Sequence, residues 1–255
     1  MAASIHLFRC LEDNYGVLVH DPETNATASI DAPEAMAVDK AIREMGWYLT
    51  DILVTHHHSD HVQGIEALKN KYKCRVVGPR KEAKKIPAID VVVRGDDFVQ
   101  VGGMNGRVID TPGHTAGHIA YYFRSEKTVF VGDTLFSIGC GRVLEGTMAQ
   151  MWESLLKLRN LPIETQVYCG HEYTLANVHF AQTIEPGNSL LRSRSEEVTR
   201  LYDAKKPTLP TTIGAEKAAN PFMRADLPSI ADAVGLSGRA PADVFAELRR
   251  RKDKF

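Results

Sequence analysis

A run of three histidines is the feature of this sequence most suited to chemistry. Residues 55–61 read THHHSDH and follow a short apolar stretch, DILV. In an extended strand residues i and i+2 point to the same side, so His56 and His58 project together. Asp60 and His61 come next, where the chain turns into a helix. Imidazole and carboxylate groups are zinc-type ligands, so this pattern predicts a metal site at a strand end.

Three later segments repeat one pattern, in which an apolar run leads to a glycine and then to a residue that can bind metal. VIDTPGH ends at His114, VFVGD ends at Asp133 and VYCGH ends at His171. The glycine lets the backbone turn tightly and approach an ion. One such residue alone is more often structural. Four such segments in order predict a site built from several strand ends.

The pattern HxHxDH, followed by His, Asp and His, resembles that of the metallo-β-lactamase superfamily. The resemblance implies an α+β fold, a four-layer αβ/βα sandwich with a dinuclear metal site on one edge. It implies three ligands for each metal and one shared ligand: His56, His58 and His114; Asp60, His61 and His171; and the bridging Asp133. It also implies a bridging hydroxide as the attacking group, oriented by the catalytic residues Asp60 and Asp133.

A closer resemblance, over nearly the whole chain, is to glyoxalase II, the hydroxyacylglutathione hydrolases. It is carried by these segments: THHHSDH, TPGHTAGH, GDTLFSIGCGRVLEGT, CGHEYTLAN, NPFMR and FAELRRRKDKF. The resemblance implies hydrolysis of the thioester S-D-lactoylglutathione to glutathione and D-lactate, the second step of methylglyoxal detoxification. It also implies a C-terminal helical domain that binds substrate.

Four residues match the family's glutathione-binding positions: Arg142, Tyr173, Arg249 and Lys252. Leu144 departs from the pattern, because the family usually has an aromatic residue two positions after the basic one. Three of these four residues also have a structural alternative. Arg249 and Lys252, which share one helix face, could complement a helix C-terminus, and Tyr173 could be a packed core residue.

The implied leaving group is a thiolate that can depart unprotonated, so we expect no dedicated general acid. A ligand set of His and carboxylate without Cys suits zinc, iron or manganese. We predict two divalent metals per chain, zinc above all, with iron or manganese as substitutes.

Three alternatives to this function can be compared with the sequence. A β-lactamase would usually carry Cys in place of Asp133 and a secretory signal. A persulfide dioxygenase shares much of the motif, but it uses one iron and lacks this C-terminal helical domain. A non-enzymatic metal- or glutathione-binding module would not need a complete ligand set that leaves room for water.

The elements that must position these residues change character along the chain. Up to residue 172, short strands alternate with helices predicted over residues 33–47, 62–72 and 148–161. After it, the pattern is helical over residues 175–184, 189–206, 228–234 and 241–252. We therefore predict a catalytic domain over residues 1–172 and a helical substrate-binding domain over residues 173–255.

Composition excludes several classes of protein. The 255 residues carry 31 Lys and Arg against 32 Asp and Glu, and no run of 18 apolar residues occurs. We therefore expect a monomer without a nucleic-acid or membrane partner. The four cysteines form no CxxC pair and no secretory signal is visible, which favours reduced thiols and the cytoplasm. Residues 186–255 hold 13 Lys and Arg against 9 Asp and Glu, which suits either an anionic ligand or a solvated helical surface.

Overall fold

The computed structural model describes residues 3–255, which form two compact units. The first unit contains the residues up to 110 and residues 115–132, and the second contains residues 111–114 and 133–255. The chain is a mixed α+β protein with two main β-sheets and a helical C-terminal part. This division is not the predicted boundary near residue 172, which stays a prediction.

The first unit has a six-stranded sheet in which spatial order follows chain order. Its strands are β1 (Ser4–Cys10), β2 (Asn14–Asp21), β3 (Ala26–Ile30), β4 (Asp51–Leu53), β5 (Arg75–Pro79) and β6 (Val91–Val93). The first three strands pair antiparallel, and β3 to β6 pair in parallel. The carboxyl ends of β3, β4 and β5 therefore lie at the same edge of the sheet, where functional residues of α/β proteins gather.

Helices α1 (Ala35–Met45), α2 (Ser59–Val62) and α3 (Ile65–Tyr72) accompany this sheet. Their buried residues, including Val38, Ile42 and Leu68, share one apolar core with the sheet residues Ile52 and Val76.

One helix predicted over residues 62–72 is two helices in the structure. The break falls at Gly64, where a Cβ atom would lie 2.8 Å from the Ala32 carbonyl oxygen. The Gly64 N–H donates to that oxygen at 2.9 Å, so its partner lies outside the helix and the helical hydrogen bonding is interrupted here.

Four more strands of the first unit form an antiparallel array in the order β10, β9, β8, β7. They are β7 (Phe98–Val101), β8 (Met104–Asp110), β9 (Ile119–Phe123) and β10 (Thr128–Gly132). In the chain, β8 directly precedes the segment that ends at His114, and β10 directly precedes Asp133. The sequence therefore places both metal-type residues just after strand ends, as predicted.

The second unit is mostly helical. Its helices are α4 (Met148–Arg159), α5 (Thr174–Ile184), α6 (Ser189–Asp203), α7 (Ile213–Ala219), α8 (Pro228–Ala233) and α9 (Pro241–Lys252). Its strands are short and pair antiparallel: β11 (Leu135–Phe136) with β12 (Gly139–Cys140), and β13 (Gln166–Cys169) with β14 (Thr211–Thr212). Thr147 and Gln150 form a capping box at the start of α4, and Asn188 caps α6.

Two expectations from the sequence, one about membrane-spanning segments and one about the cysteines, can be compared with the described residues. Among the helices of residues 3–255, none combines the length and the apolar character needed to span a bilayer. The four cysteines, Cys10, Cys74, Cys140 and Cys169, are buried free thiols.

Candidate metal centre and substrate cavity

The first unit brings together His56, His58, Asp60 and His61 at the carboxyl end of β4. The Nε2 atom of His56 lies 3.1 Å from Nδ1 of His58, and the rings of His56 and His61 are 4.1 Å apart between centroids. Nε2 of His61 lies 3.6 Å from Oδ2 of Asp60. Four predicted ligands of this unit are therefore neighbours in space.

Hydrogen bonds fix which nitrogen of two of these imidazoles carries the proton. The Thr55 hydroxyl donates its one hydrogen to Oδ2 of Asp31 at 2.8 Å, so its oxygen must accept from Nδ1–H of His56 at 3.0 Å. Nδ1–H of His61 donates to the same Asp31 oxygen at 2.7 Å. In the neutral state, both imidazoles therefore have an unprotonated Nε2, the form that binds metal.

Asp60, in helix α2, is held by a side chain from strand β2. The Asn14 side-chain amide, at the start of β2, donates to Oδ2 of Asp60 at 3.1 Å and to its backbone carbonyl at 3.3 Å. Asn14 is buried. The amide therefore restricts the carboxylate of a predicted ligand.

The second unit brings together the other three predicted ligands. Oδ2 of Asp133 lies 3.5 Å from Nε2 of His114 and 3.2 Å from Nε2 of His171. Nδ1–H of His114 donates to the carbonyl oxygen of Arg142 at 2.8 Å. In the neutral imidazole, this donor leaves the Nε2 of His114 that faces Asp133 free of a proton.

These donor sets fit divalent metal ions. Three imidazoles, those of His56, His61 and His114, present unprotonated Nε2 atoms, and the carboxylates of Asp60 and Asp133 lie beside nitrogen donors. Neutral imidazole and carboxylate are preferred ligands of zinc, iron and manganese, and second hydrogen bonds of this kind orient them. The clusters in the two units suggest a dinuclear divalent-metal site, without identifying the metal.

A cavity of 310 Å³ within the second unit contains all four predicted substrate-binding residues. Arg142, Tyr173, Arg249 and Lys252 line it, together with the metal-type residues His114 and Asp133. Phe136, Cys140 and Asn177 complete much of its wall. Residues that are far apart in the chain thus share one cavity with part of the candidate metal centre.

The two basic residues of α9 differ in how firmly they are held. The Arg249 guanidinium is buried, donates to the Cys140 carbonyl oxygen at 2.7 Å, pairs with Asp253 and lies over the Phe222 ring. Lys252 is half-buried and donates to the Ala176 carbonyl oxygen at 2.9 Å. Burial lowers the pKa of Lys252, and the neighbouring Arg249 charge lowers it further. An anion in the cavity would offset both effects.

We assign no catalytic role to Leu144 or to the two nearby cysteines, Cys140 and Cys169. Leu144 is exposed. Burial raises the pKa of the Cys140 thiol to about 11 and raises that of Cys169 well above the ordinary range. Both are protonated at neutral pH, as expected for packed thiols.

Asp31, Asn14 and Glu82 were not predicted to have a role, although all three contact the histidine-rich segment or its ligands. The position of Asp31 could have suggested a role at the site, because it follows the apolar strand β3 as the predicted ligands follow their strands. Asn14 and Glu82 lie in polar stretches without such a signal. His118 is fully buried, with its ring 4.8 Å from that of His56.

Comparison with known proteins decides the family. Residues 21–171 match the family model of the metallo-β-lactamase superfamily, and residues 172–255 match that of the hydroxyacylglutathione hydrolase C-terminus. Proteins named hydroxyacylglutathione hydrolase from Rhodopseudomonas palustris (strain BisA53) and Nitrobacter hamburgensis are 59% and 58% identical to the chain over 254 residues, which is 100% of each chain.

The chain belongs to the hydroxyacylglutathione hydrolases. This confirms the family predicted from the sequence and the assignment of the protein as a hydrolase. The alternative of a persulfide dioxygenase or another hydrolase of the superfamily is not favoured, since the C-terminal model covers the whole helical part. The two family models meet between residues 171 and 172.

Solved structures confirm the predicted fold of this hydroxyacylglutathione hydrolase. ETHE1 from Myxococcus xanthus is similar with a TM-score of 0.69 and 27% identity, over 98% of this chain and 90% of that one. The BLEG-1 B3 metallo-β-lactamase is similar with a TM-score of 0.68 and 20% identity, over 86% of this chain and 99% of that one. The second likeness concerns the fold alone.

Proposed function

We propose that the protein hydrolyses S-D-lactoylglutathione and related 2-hydroxyacylglutathione thioesters to glutathione and the hydroxy acid. The observation that carries this proposal is the cavity of the second unit, which combines basic side chains with His114 and Asp133. A glutathione thioester has two carboxylates and one ammonium group, so it is a net anion. Its size and charge suit a cavity lined by Arg142, Arg249 and Lys252.

We further propose how the metal ligands are shared. His56, His58 and His114 would hold one ion, Asp60, His61 and His171 the other, and Asp133 would bridge them. The support is the hydrogen bonding that leaves Nε2 of His56, His61 and His114 unprotonated. Two bound divalent cations, with zinc our first choice, would lower the pKa of water and stabilise the negative charge that develops on the thioester oxygen.

The protein's own residues would orient the reactants. The Asp60 carboxylate, restricted by Asn14, and the Asp133 carboxylate, beside His114 and His171, can accept a hydrogen bond from the attacking water. The departing group is the glutathione thiolate, and because thiol pKa values are about 8.5, it is a weak enough base to leave unprotonated. No side chain has to protonate it.

Recognition of the glutathione part would fall to four side chains. Lys252 and Arg142 would meet a carboxylate, and Tyr173 would contact the peptide beside them. Arg249 also lines the cavity, although its guanidinium already bonds the Cys140 carbonyl oxygen and Asp253. We therefore assign Arg249 a substrate contact together with a structural role.

We propose a cytoplasmic monomer whose substrate-binding domain begins at residue 173. The four unpaired, buried thiols suit a reducing compartment, and the meeting point of the two family models supports the boundary. Light scattering coupled to gel filtration would test the monomer, with a mass of about twice 28.2 kDa as the contrary result.

The substrate assignment is tested by comparing three compounds on the metal-loaded protein. S-D-lactoylglutathione should have the highest kcat/KM, a small D-lactoyl thioester without glutathione should show a raised KM, and a chromogenic cephalosporin should not be opened at a comparable rate. A preference for the cephalosporin, or equal kcat/KM for the two thioesters, would contradict the proposal.

A further inference from the structure

Glu82 is a buried carboxylate that accepts four hydrogen bonds from two separate turns of the first unit. It lies just past the carboxyl end of β5 and is 3% exposed. Its Oε2 accepts from the backbone N–H and from Nδ1–H of His57, both at 2.8 Å. Its Oε1 accepts from the Thr115 hydroxyl at 2.5 Å and from the Gly117 N–H at 2.7 Å.

Both turns lie next to predicted metal ligands in the chain. His57 stands between His56 and His58, so its backbone N–H belongs to the segment that carries two ligands. Thr115 directly follows His114. Glu82 therefore fixes the backbone between His56 and His58 and the residues that directly follow His114.

The ring of His57, the middle histidine of the THHHSDH segment, is also held by hydrogen bonds. Nδ1–H of His57 donates to Glu82, so its Nε2 is an acceptor and lies 3.2 Å from Nζ of Lys85. Both ring nitrogens have protein partners. His57 thus links the ligand segment to Glu82.

A carboxylate is required at this position. Glutamine has the same shape but replaces one acceptor oxygen with an NH₂ donor. Placed at Oε1, the NH₂ group would face the N–H of Gly117, and placed at Oε2 it would face the N–H of His57. Thr115 and His57 Nδ1 could reverse their roles, but a backbone N–H cannot. One of the two turns must therefore move or lose a hydrogen bond.

We propose that Glu82 is a positioning residue that holds the two ligand-bearing turns in the geometry that binds metal. This inference rests on the metal site of the proposed function. Its consequence is that Glu82 sets the metal affinity of the folded protein, in addition to any effect on stability.

The test compares Glu82→Gln with the matched control Glu66→Gln, which makes the same change at an exposed residue of α3. Metal is removed, and the affinity of each folded apoprotein for Zn²⁺ is measured by competition with a chromophoric chelator. For Glu82→Gln we expect a loss of affinity of about 10- to 100-fold, the usual range for groups that orient ligands. At one fixed free Zn²⁺ concentration, the factor by which kcat falls should be larger than the factor by which KM changes.

A purely structural role would lower the melting temperature of the apoprotein and leave the Zn²⁺ affinity of the folded fraction within twofold of the control. That result would overturn the proposal. If Glu82→Gln does not fold, Thr115→Val removes one of the four donors with little change in shape, and it should weaken Zn²⁺ binding by a smaller factor. An unchanged Zn²⁺ affinity in Thr115→Val would then overturn the proposal.

The wild type and Glu66→Gln separate this inference from the function. If neither binds two metals nor hydrolyses the thioester, the proposed function itself fails. If both do so and Glu82→Gln behaves identically, only the role of Glu82 is wrong.

Discussion

The ring of Tyr173 lies parallel to the imidazole of His171, with 3° between their planes and 4.9 Å between their centroids. The edge of Phe136 completes the group, with centroid distances of 6.0 Å to His171 and 5.2 Å to Tyr173. One tyrosine thus lines the cavity and packs on a predicted metal ligand. Its hydroxyl and its ring can therefore serve different purposes.

Two substitutions of Tyr173 should separate these purposes. Tyr173→Phe keeps the ring, so we expect two metals per chain and a KM for S-D-lactoylglutathione raised about 3- to 10-fold through one lost neutral hydrogen bond. Tyr173→Leu removes the stacked ring and should also reduce the metal content. Elemental analysis and steady-state kinetics measure both effects. Equal metal content in the two variants would show that the ring does not support His171.

Removing the Asp133 carboxylate, the proposed bridge, should affect both metals of the proposed site. Asp133 lies within 3.5 Å of both His114 and His171, so Asp133→Ala removes a partner of two ligands at once. We expect fewer than two metals per chain and a kcat lowered by at least about 100-fold, the order of loss seen when a group that stabilises the transition state is removed. Wild-type metal content with wild-type turnover would show that Asp133 does not bridge.

Arg249→Ala and Lys252→Ala should differ in stability. The Arg249 side chain is 6% exposed, and its loss leaves the Cys140 carbonyl oxygen without its donor, so we expect a loss of about 2–3 kcal/mol in the free energy of unfolding. Lys252→Ala should cost about 1 kcal/mol or less and raise KM about 10- to 100-fold, with a smaller effect on kcat.

Denaturant unfolding and kinetics with the two thioesters test this difference. The KM effect of Lys252→Ala should shrink for the small thioester, which has no glutathione carboxylates. An equal loss of stability in the two variants would contradict the separate roles assigned to them.

Glu216 should make the unfolding free energy depend on pH. This fully buried carboxylate accepts from the Ile138 N–H, the Thr211 hydroxyl and the Asn220 amide, and burial raises its pKa above the ordinary value of 4.5. A raised pKa in the folded state means that its stabilising contribution is present below the unfolded pKa and is lost as pH rises through the folded value. The wild type should therefore lose stability relative to Glu216→Gln as the pH is raised from about 4 to 7.

Glutamine can replace Glu216 because its oxygen can accept from Ile138 and Asn220 while its NH₂ group donates to the Thr211 hydroxyl. Chemical denaturation of the apoprotein across this range, with the exposed Glu164→Gln as control, measures the difference. A constant difference between Glu216→Gln and the wild type would show that Glu216 does not titrate there.

Sequence patterns predicted most of the elements because their signals are local. Helix α9 was predicted over its full extent, Pro241–Lys252, since it has proline at its first position and a regular apolar stripe. Helix α7 was missed, because it has only seven residues, including a glycine, and most of its helical signal comes from the Thr212 cap. The break at Gly64 was missed as well, since it depends on the close approach of Ala32, which is distant in the chain.

The proposed ligand residues were suggested by the apolar runs that precede them, whereas the pairing of each with the residue that orients it could not be predicted. Asp31 lies 30 positions from His61, Glu82 lies 25 from His57, and Asn14 lies 46 from Asp60. These pairs meet because the register of β2, β3, β4 and β5 brings their ends together. No periodicity within a short window contains that information.

The most direct test of the whole account is the product balance of the reaction with and without metal. The purified protein, with two divalent metals per chain, should release one free thiol and one D-lactate for each S-D-lactoylglutathione consumed. A chelator should abolish the reaction, and added Zn²⁺ should restore it together with the metal content. A metal-replete protein that leaves the thioester intact, or a metal-free protein that hydrolyses it at the same rate, would contradict the account.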